Sequence, residues 1–187
     1  MKLYSDRKEM LKDLAPAGST VCEIGVFRGE FAQYILSLMK PGLLVCIDPF
    51  EGYLPSGDAD GNNVQQAHLP SVYINLANAA RKVQNLLLLR GYSQDLLPFF
   101  APNTFDLIYI DGDHSYEGCK RDLQMSWKIV KSGGFVCGHD YQTNPLKTNA
   151  RYDFGVDRAV DEFCRENGVE LYAKAMDGQV SFAIRKP

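Results

Sequence analysis

No stretch of this 187-residue chain approaches 18 consecutive apolar residues, so nothing in it reads as a membrane-spanning helix. The amino terminus, MKLYSDRKEMLKDLA, interleaves charged and apolar residues and lacks the uncharged apolar core of a secretion signal. The expectation is a soluble cytoplasmic protein that binds no membrane. No run of five or more Lys or Arg occurs, and 20 basic against 23 acidic side chains leave a net charge of −3. A basic face for nucleic acid is therefore not expected. The five cysteines, at 22, 46, 119, 137 and 164, form no CxxC pair. Three of them lie inside apolar runs, so they read as small buried hydrophobes in a reducing compartment, not as zinc or disulfide ligands. The length suits one domain, residues 1–187, with a continuous core.

What is present is a recurrence of short apolar runs: STVCEI at 19–24, LLVCI at 43–47, NLLLL at 85–89, FDLIYI at 105–110 and GFVCG at 134–138. Unbroken apolar strands of this kind suit a parallel sheet covered on both faces. Between them, Phe31, Tyr34, Ile35 and Leu38 recur at helical spacing, as do Cys119, Leu123, Trp127 and Val130. The reading is α/β with right-handed crossovers. Near the end, Val156, Ala159, Val160, Phe163 and Cys164 share one helical face, which stops at Gly168 as a C-terminal cap. Asp177-Gly178 then joins two alternating runs as a hairpin.

Two stretches, 49–70 and 141–154, are rich in Gly, Pro, Asn and Asp. Both follow the carboxyl end of a predicted strand, where open α/β sheets bind ligands, and both read as loops over the site. In VCEIGVFRGEF, Glu23, Gly25 and Gly29 mark a strand-to-helix turn, and Asp48 ends the next strand. Glycines at such a turn let backbone approach a ligand, and an acid there binds ribose hydroxyls. A G-x-G-x-x-G dinucleotide fingerprint is absent, because Phe27 stands at its middle glycine, so a pyrophosphate is poorly accommodated. The competing reading is a glycine turn that only packs.

The pattern E-x-G-x-x-x-G, followed by an acid after the second strand, resembles motifs I and II of class I S-adenosylmethionine-dependent methyltransferases. RGYSQDLLPFF at 90–100 followed by FDLIYIDG looks like the adenine-binding turn and fourth strand of catechol O-methyltransferase and its relatives. IDGDHSYEGCKRDLQMSWKIVKSGGFVCGHDY resembles the family 24 methyltransferases. The resemblance covers roughly residues 19–141 in motif order. It implies a Rossmann-like, seven-stranded, mostly parallel sheet in the order 3-2-1-4-5-7-6, with a C-terminal antiparallel hairpin and helices on both faces. It also implies S-adenosylmethionine as cofactor, held by Glu23, Gly25, Val26, Gly29 and Asp111, with Asp48 on the ribose and Ser93 and Gln94 on the adenine. Ser93 has a second reading as a helix cap. Small enzymes of this kind often pair as homodimers.

FDLIYIDGDHSYEG runs its strand into Asp111, Asp113 and His114, and parallel pairing with the next strand brings His139 and Asp140 beside them. By the same resemblance Asp111, His139 and Asp140 would hold Mg²⁺ or another divalent cation; His139 departs from the pattern, since imidazole is a poor magnesium ligand. Methyl transfer is an in-line displacement that requires alignment and exclusion of water. A hydroxyl acceptor must also lose a proton, and His114, then His139, are the candidate bases beside Asp111. His114 could instead cap the helix opening at Ser115, and Asp113 reads as a residue that shapes the turn. His68 reads as a solvated loop residue, and Lys120, Arg121 and Asp122 as the outer face of a helix. Tyr53, Tyr116, Tyr141 and Trp127 are candidates for an aromatic pocket, with Trp127 better placed in the core.

The expected function is methyl transfer to a hydroxyl, less readily an amine, of a small metabolite. Two alternatives remain open from sequence. A metal-dependent phosphoesterase would want an early D-x-H, and no histidine precedes His68. A catalytically silent nucleoside-binding module would keep the fold without turnover.

Overall fold

Strands rich in Val, Ile, Leu and Cys build the centre of the molecule, and side chains on successive residues enter opposite layers. The computed structural model describes residues 1–51, 69–142 and 154–187. The strands are β1 (Lys2–Tyr4), β2 (Thr20–Ile24), β3 (Leu43–Asp48), β4 (Leu86–Arg90), β5 (Phe105–Ile110), β6 (Val130–Gly138), β7 (Leu171–Met176) and β8 (Val180–Arg185). The helices are α1 (Arg7–Leu14), α2 (Glu30–Tyr34), α3 (Leu69–Ala80), α4 (Ser93–Leu96), α5 (Tyr116–Ile129) and α6 (Val156–Asn167). Among these residues the strands form one sheet in the order β1-β7-β8-β6-β5-β2-β3-β4.

β6, β5, β2, β3 and β4 are parallel, and β8 enters antiparallel between β6 and β7. Seven strands thus take the expected order. The count is corrected to eight, because Lys2–Tyr4 adds a parallel edge strand on β7. Asp6 caps the helix that follows, accepting a 2.6 Å hydrogen bond from the Lys8 backbone N–H.

The pleat sorts the core into two layers. Val21, Leu44, Cys46, Leu107, Tyr109 and Cys137 pack under α1 and α2. Cys22, Ile24, Val45, Ile47, Ile108 and Val136 pack under α5 and α6. All five cysteines are free and buried.

The helix expected through Phe31, Tyr34, Ile35 and Leu38 needs one correction. After α2 the chain widens into a π turn at Ile35–Met39. The extra residue in the turn rotates the following face, so Met39 is buried while Leu38 is exposed. Val130, expected to continue the helix of Cys119, instead opens β6. Gly168 does end α6, in the left-handed conformation at φ 63°. His68, Tyr53 and most of both long loops lie outside the described residues.

Candidate functional site

The carboxyl ends of β2, β3, β5 and β6 lie side by side, and the predicted site residues emerge there. Gly25 leaves β2 at φ +86°, and a Cβ on it would sit 2.0 Å from the Asp111 carbonyl oxygen. Glycine is required at this point first by close approach of β5, since Asp111 N–H donates to the Ile24 carbonyl at 2.7 Å. The turn then runs through Phe27, left-handed at φ 51° without being glycine, to Gly29 at φ 78°, which starts α2. Asp48 braces this turn. Its Oδ2 accepts from the backbone N–H groups of Val26 at 2.8 Å and Phe27 at 2.9 Å, and its Oδ1 from Phe50 N–H at 2.6 Å.

Glu23 lies below the turn and is 1% exposed. Burial pushes its carboxyl well above the usual range, and the Cys46 thiol contacts it at 3.5 Å. Gln94 is exposed on α4, whereas the Ser93 hydroxyl points inward and donates to Asp122 Oδ1 at 2.6 Å. Ser93 is therefore no helix cap; Tyr92 holds the N-cap position and makes no side-chain cap bond.

At the ends of β5 and β6 the acids and imidazoles meet. His114 Nε2 lies 3.2 Å from Asp111 Oδ1 and 3.5 Å from Asp140 Oδ2. His139 Nδ1 lies 3.0 Å from Asp140 Oδ2 and 4.0 Å from Asp111 Oδ1. One ligand atom each from Asp111, His139 and Asp140 falls within 4.8 Å of the others. Asp140 is buried and left-handed at φ 58°, a conformation costly for a residue with a side chain. Such strain concentrates where a side chain must be aimed.

His114 does not cap the helix: Ser115 does, its Oγ accepting from Gly118 N–H at 3.1 Å. Asp113 shapes the turn by accepting from Ser115 N–H at 2.9 Å. Beyond the second long loop the chain returns to this place. Phe154 bridges to Ser115, its ring stands 6.0 Å from that of His114, and Gly155 N–H donates to the His114 carbonyl at 3.1 Å.

Two expectations are corrected. Asp122 does not lie on an outer helical face; it is 1% exposed, because its position on α5 falls between Cys119 and Ser126 on the inward side. Burial raises its carboxyl to about 6, against the opposing Ser93 hydrogen bond. Tyr116 and Tyr141 are tied to acids of α6 instead of meeting in an aromatic pocket, and Trp127 lies in the core as expected. Tyr116 bonds Glu162, Tyr141 bonds Asp161 at 2.6 Å, and Trp127 packs edge-on against Phe163 at 5.3 Å in the α5/α6 layer.

Sequence reasoning missed Arg7. From the first turn of α1 its Nη1 reaches to within 3.7 Å of Asp111 Oδ2 and donates to the Tyr109 hydroxyl at 3.2 Å. The Asp6 cap before RKEML was a legible sign of the helix, but nothing local tells where its first residue points.

A methyltransferase-domain family model, family 24, matches residues 22–141. The chain belongs to this family of class I, S-adenosylmethionine-dependent methyltransferases. Over 127 residues it is 29% identical to the uncharacterized protein R132 of Acanthamoeba polyphaga mimivirus, covering 66% of this chain and 52% of that protein. The chain thus spans about half the length of that relative. The O-methyltransferase NovP shares the fold with a TM-score of 0.67 at 21% identity, over 96% of this chain and 79% of that one. The fibrillarin pre-rRNA processing protein of Methanococcus jannaschii does so with a TM-score of 0.60 at 13% identity, over 92% and 68%. No helix among the described residues is long and apolar enough to cross a membrane.

Proposed function

We propose that the protein transfers the methyl group of S-adenosylmethionine to a hydroxyl of a small metabolite, at the edge where β2, β3, β5 and β6 end. The observation that carries this reading is the meeting of Asp111, His114, His139 and Asp140 beside the Gly25–Gly29 turn. The net charge of −3 and the lack of a basic run favour a small acceptor over a polyphosphate backbone. The O-methyltransferase name of NovP favours a hydroxyl.

When bound, the cofactor supplies a sulfonium-activated methyl carbon. The residues of the chain do the rest. Gly25, Val26 and Gly29 present backbone to the methionine portion, and Glu23 supports that turn from below. Asp48 fixes the turn through Val26 and Phe27 and stands at the ribose position; Ser93 and Gln94 open the turn assigned to the adenine. His114 takes the acceptor's proton at Nδ1, while its Nε2–H faces Asp111 and Asp140, which orient the ring and stabilise the imidazolium. His139 is the second base, fixed by Asp140.

Asp111, His139 and Asp140 also form a donor set for a divalent cation. Two carboxylates and an imidazole suit a borderline ion such as Mn²⁺ better than Mg²⁺. Such an ion would lower the acceptor hydroxyl's pKa.

Calorimetry with S-adenosylmethionine and S-adenosylhomocysteine tests the reading first. Binding of both is expected, and a flat titration for each at millimolar ligand would sink it. Turnover of a hydroxylated acceptor panel, followed by S-adenosylhomocysteine release, separates an enzyme from a silent binding module.

A further inference from the structure

Arg7 stands where the ends of β2 and β5 face α1 and α2. Its guanidinium carbon lies 4.6 Å over the ring of Phe31, in the first turn of α2. Its Nη1 is 3.7 Å from Asp111 Oδ2, and its Nε is 3.4 Å from Asp177 Oδ2 in the β7–β8 turn. Tyr109, two residues before Asp111 on the same side of β5, accepts from Nη1 at 3.2 Å.

None of these contacts is the paired 2.7–2.9 Å bond that a guanidinium makes with a carboxylate it is built to hold. Nε is buried and makes no hydrogen bond at all. The fork is partly enclosed, aimed at the site, and unsaturated. Around it the edge is acidic. Asp48 accepts from three backbone N–H groups, Asp140 faces two histidines, and Asp111 faces the cluster through its other oxygen.

A methyl donor of the proposed kind carries two positive groups, the sulfonium and the ammonium, and one negative group, the carboxylate of its methionine portion. The positive groups suit an acidic edge, while the carboxylate needs a cation. Among the described residues, Arg7 is the Arg or Lys side chain that ion-pairs Asp111. We propose that Arg7 binds the cofactor's methionine carboxylate, turning its fork from Asp111 and Asp177 to a two-point pair with that group. Arg7 lies outside residues 22–141, so the assignment comes from its place in the fold and not from the matched segment. It rests on the methyl-donor reading above.

The test compares two ligands on three proteins. S-adenosylhomocysteine has the carboxylate, and 5′-methylthioadenosine keeps the nucleoside and thioether but lacks the amino-acid end. Against wild type, Arg7→Met is expected to weaken S-adenosylhomocysteine by roughly 10- to 100-fold, the worth of a charged hydrogen-bonded pair, and to leave methylthioadenosine unchanged. Arg7→Lys should keep the charge, lose the fork and fall between them. Should Arg7→Met fail to fold, the Lys variant carries the comparison, with an expected loss of about fivefold for S-adenosylhomocysteine alone. Equal losses for both ligands would make Arg7 a general support of the site and overturn the assignment. Unchanged S-adenosylhomocysteine affinity would overturn it in favour of a carboxylate on the acceptor. Failure of the methyl-donor reading shows separately, as wild type binding neither ligand.

Discussion

The Ser93 hydroxyl, at the start of α4, hydrogen-bonds at 2.6 Å to the carboxylate of Asp122, buried within α5. This contact joins the turn assigned to the adenine to the helix whose first turn follows His114. The helix that begins just after the candidate base and the turn assigned to the adenine are thus fixed to each other through one acid.

Asp122 makes stability depend on pH in a direction opposite to most paired carboxylates. Its folded pKa is raised from 3.8 to about 6, so the native state holds a proton that the unfolded chain gives up. Stability should therefore fall as pH rises through roughly 4 to 6, by up to ~3 kcal/mol. Asp122→Asn keeps an acceptor for Ser93 and removes the charge. Its denaturation midpoint should exceed wild type at pH 7.5, and the gap should close near pH 4. A constant gap across that range would show that ionisation is not the cause.

Gly25→Ala should be among the most damaging small substitutions. The new methyl group would meet Asp111 backbone at 2.0 Å in a conformation of φ +86°. A loss of about 3 kcal/mol or more is expected, because backbone, not a flexible side chain, is in the way. Urea denaturation measures it, and S-adenosylhomocysteine binding should fall with it.

Removing the imidazole of His114 should strike turnover and spare the cofactor. His114→Asn is expected to lower kcat by about 10²- to 10⁴-fold while S-adenosylhomocysteine affinity stays within about twofold. His139→Asn should cost less if His139 is the second base. Comparable turnover by both variants and wild type would remove general-base catalysis from the mechanism.

Metal binding can be read without turnover. Calorimetry should show Mn²⁺ binding more tightly than Mg²⁺, and Asp140→Asn should weaken the Mn²⁺ signal by 10-fold or more, as loss of a carboxylate ligand does. Chelator treatment should lower turnover, with Mn²⁺ restoring it. Absence of a Mn²⁺ isotherm at millimolar ion would leave the four side chains as a proton-handling cluster only.

The central parallel strands β2, β3 and β5 were legible because each is buried on both faces and so writes an unbroken apolar run, and Asp111, His139 and Asp140 were legible because such strands end at one edge. Three things were not. β1 is three residues long and takes its meaning from pairing with Ala173–Ala175, far along the chain. The π turn that buries Met39 in place of Leu38 leaves no local mark, since both residues are apolar. Asp122 and Arg7 carry charges that pattern reading sends to solvent. Only the packing of α5 on α4, and of α1 on the sheet edge, turns one inward and the other towards Asp111.

The antiparallel insertion of β8 has a consequence for how the site can vary. Because β7 runs parallel to β6, the Asp177–Gln179 turn arrives at the same edge as Asp111, and Tyr141 N–H bonds the Val180 carbonyl at 2.8 Å just beyond it. A crossover helix would bring a loop free to lengthen or shorten, whereas this turn is held in register by strands on both sides. On this flank the site has a wall of fixed shape, and Asp177, through its ion pair with Arg7, makes a surface turn part of the site's charge balance.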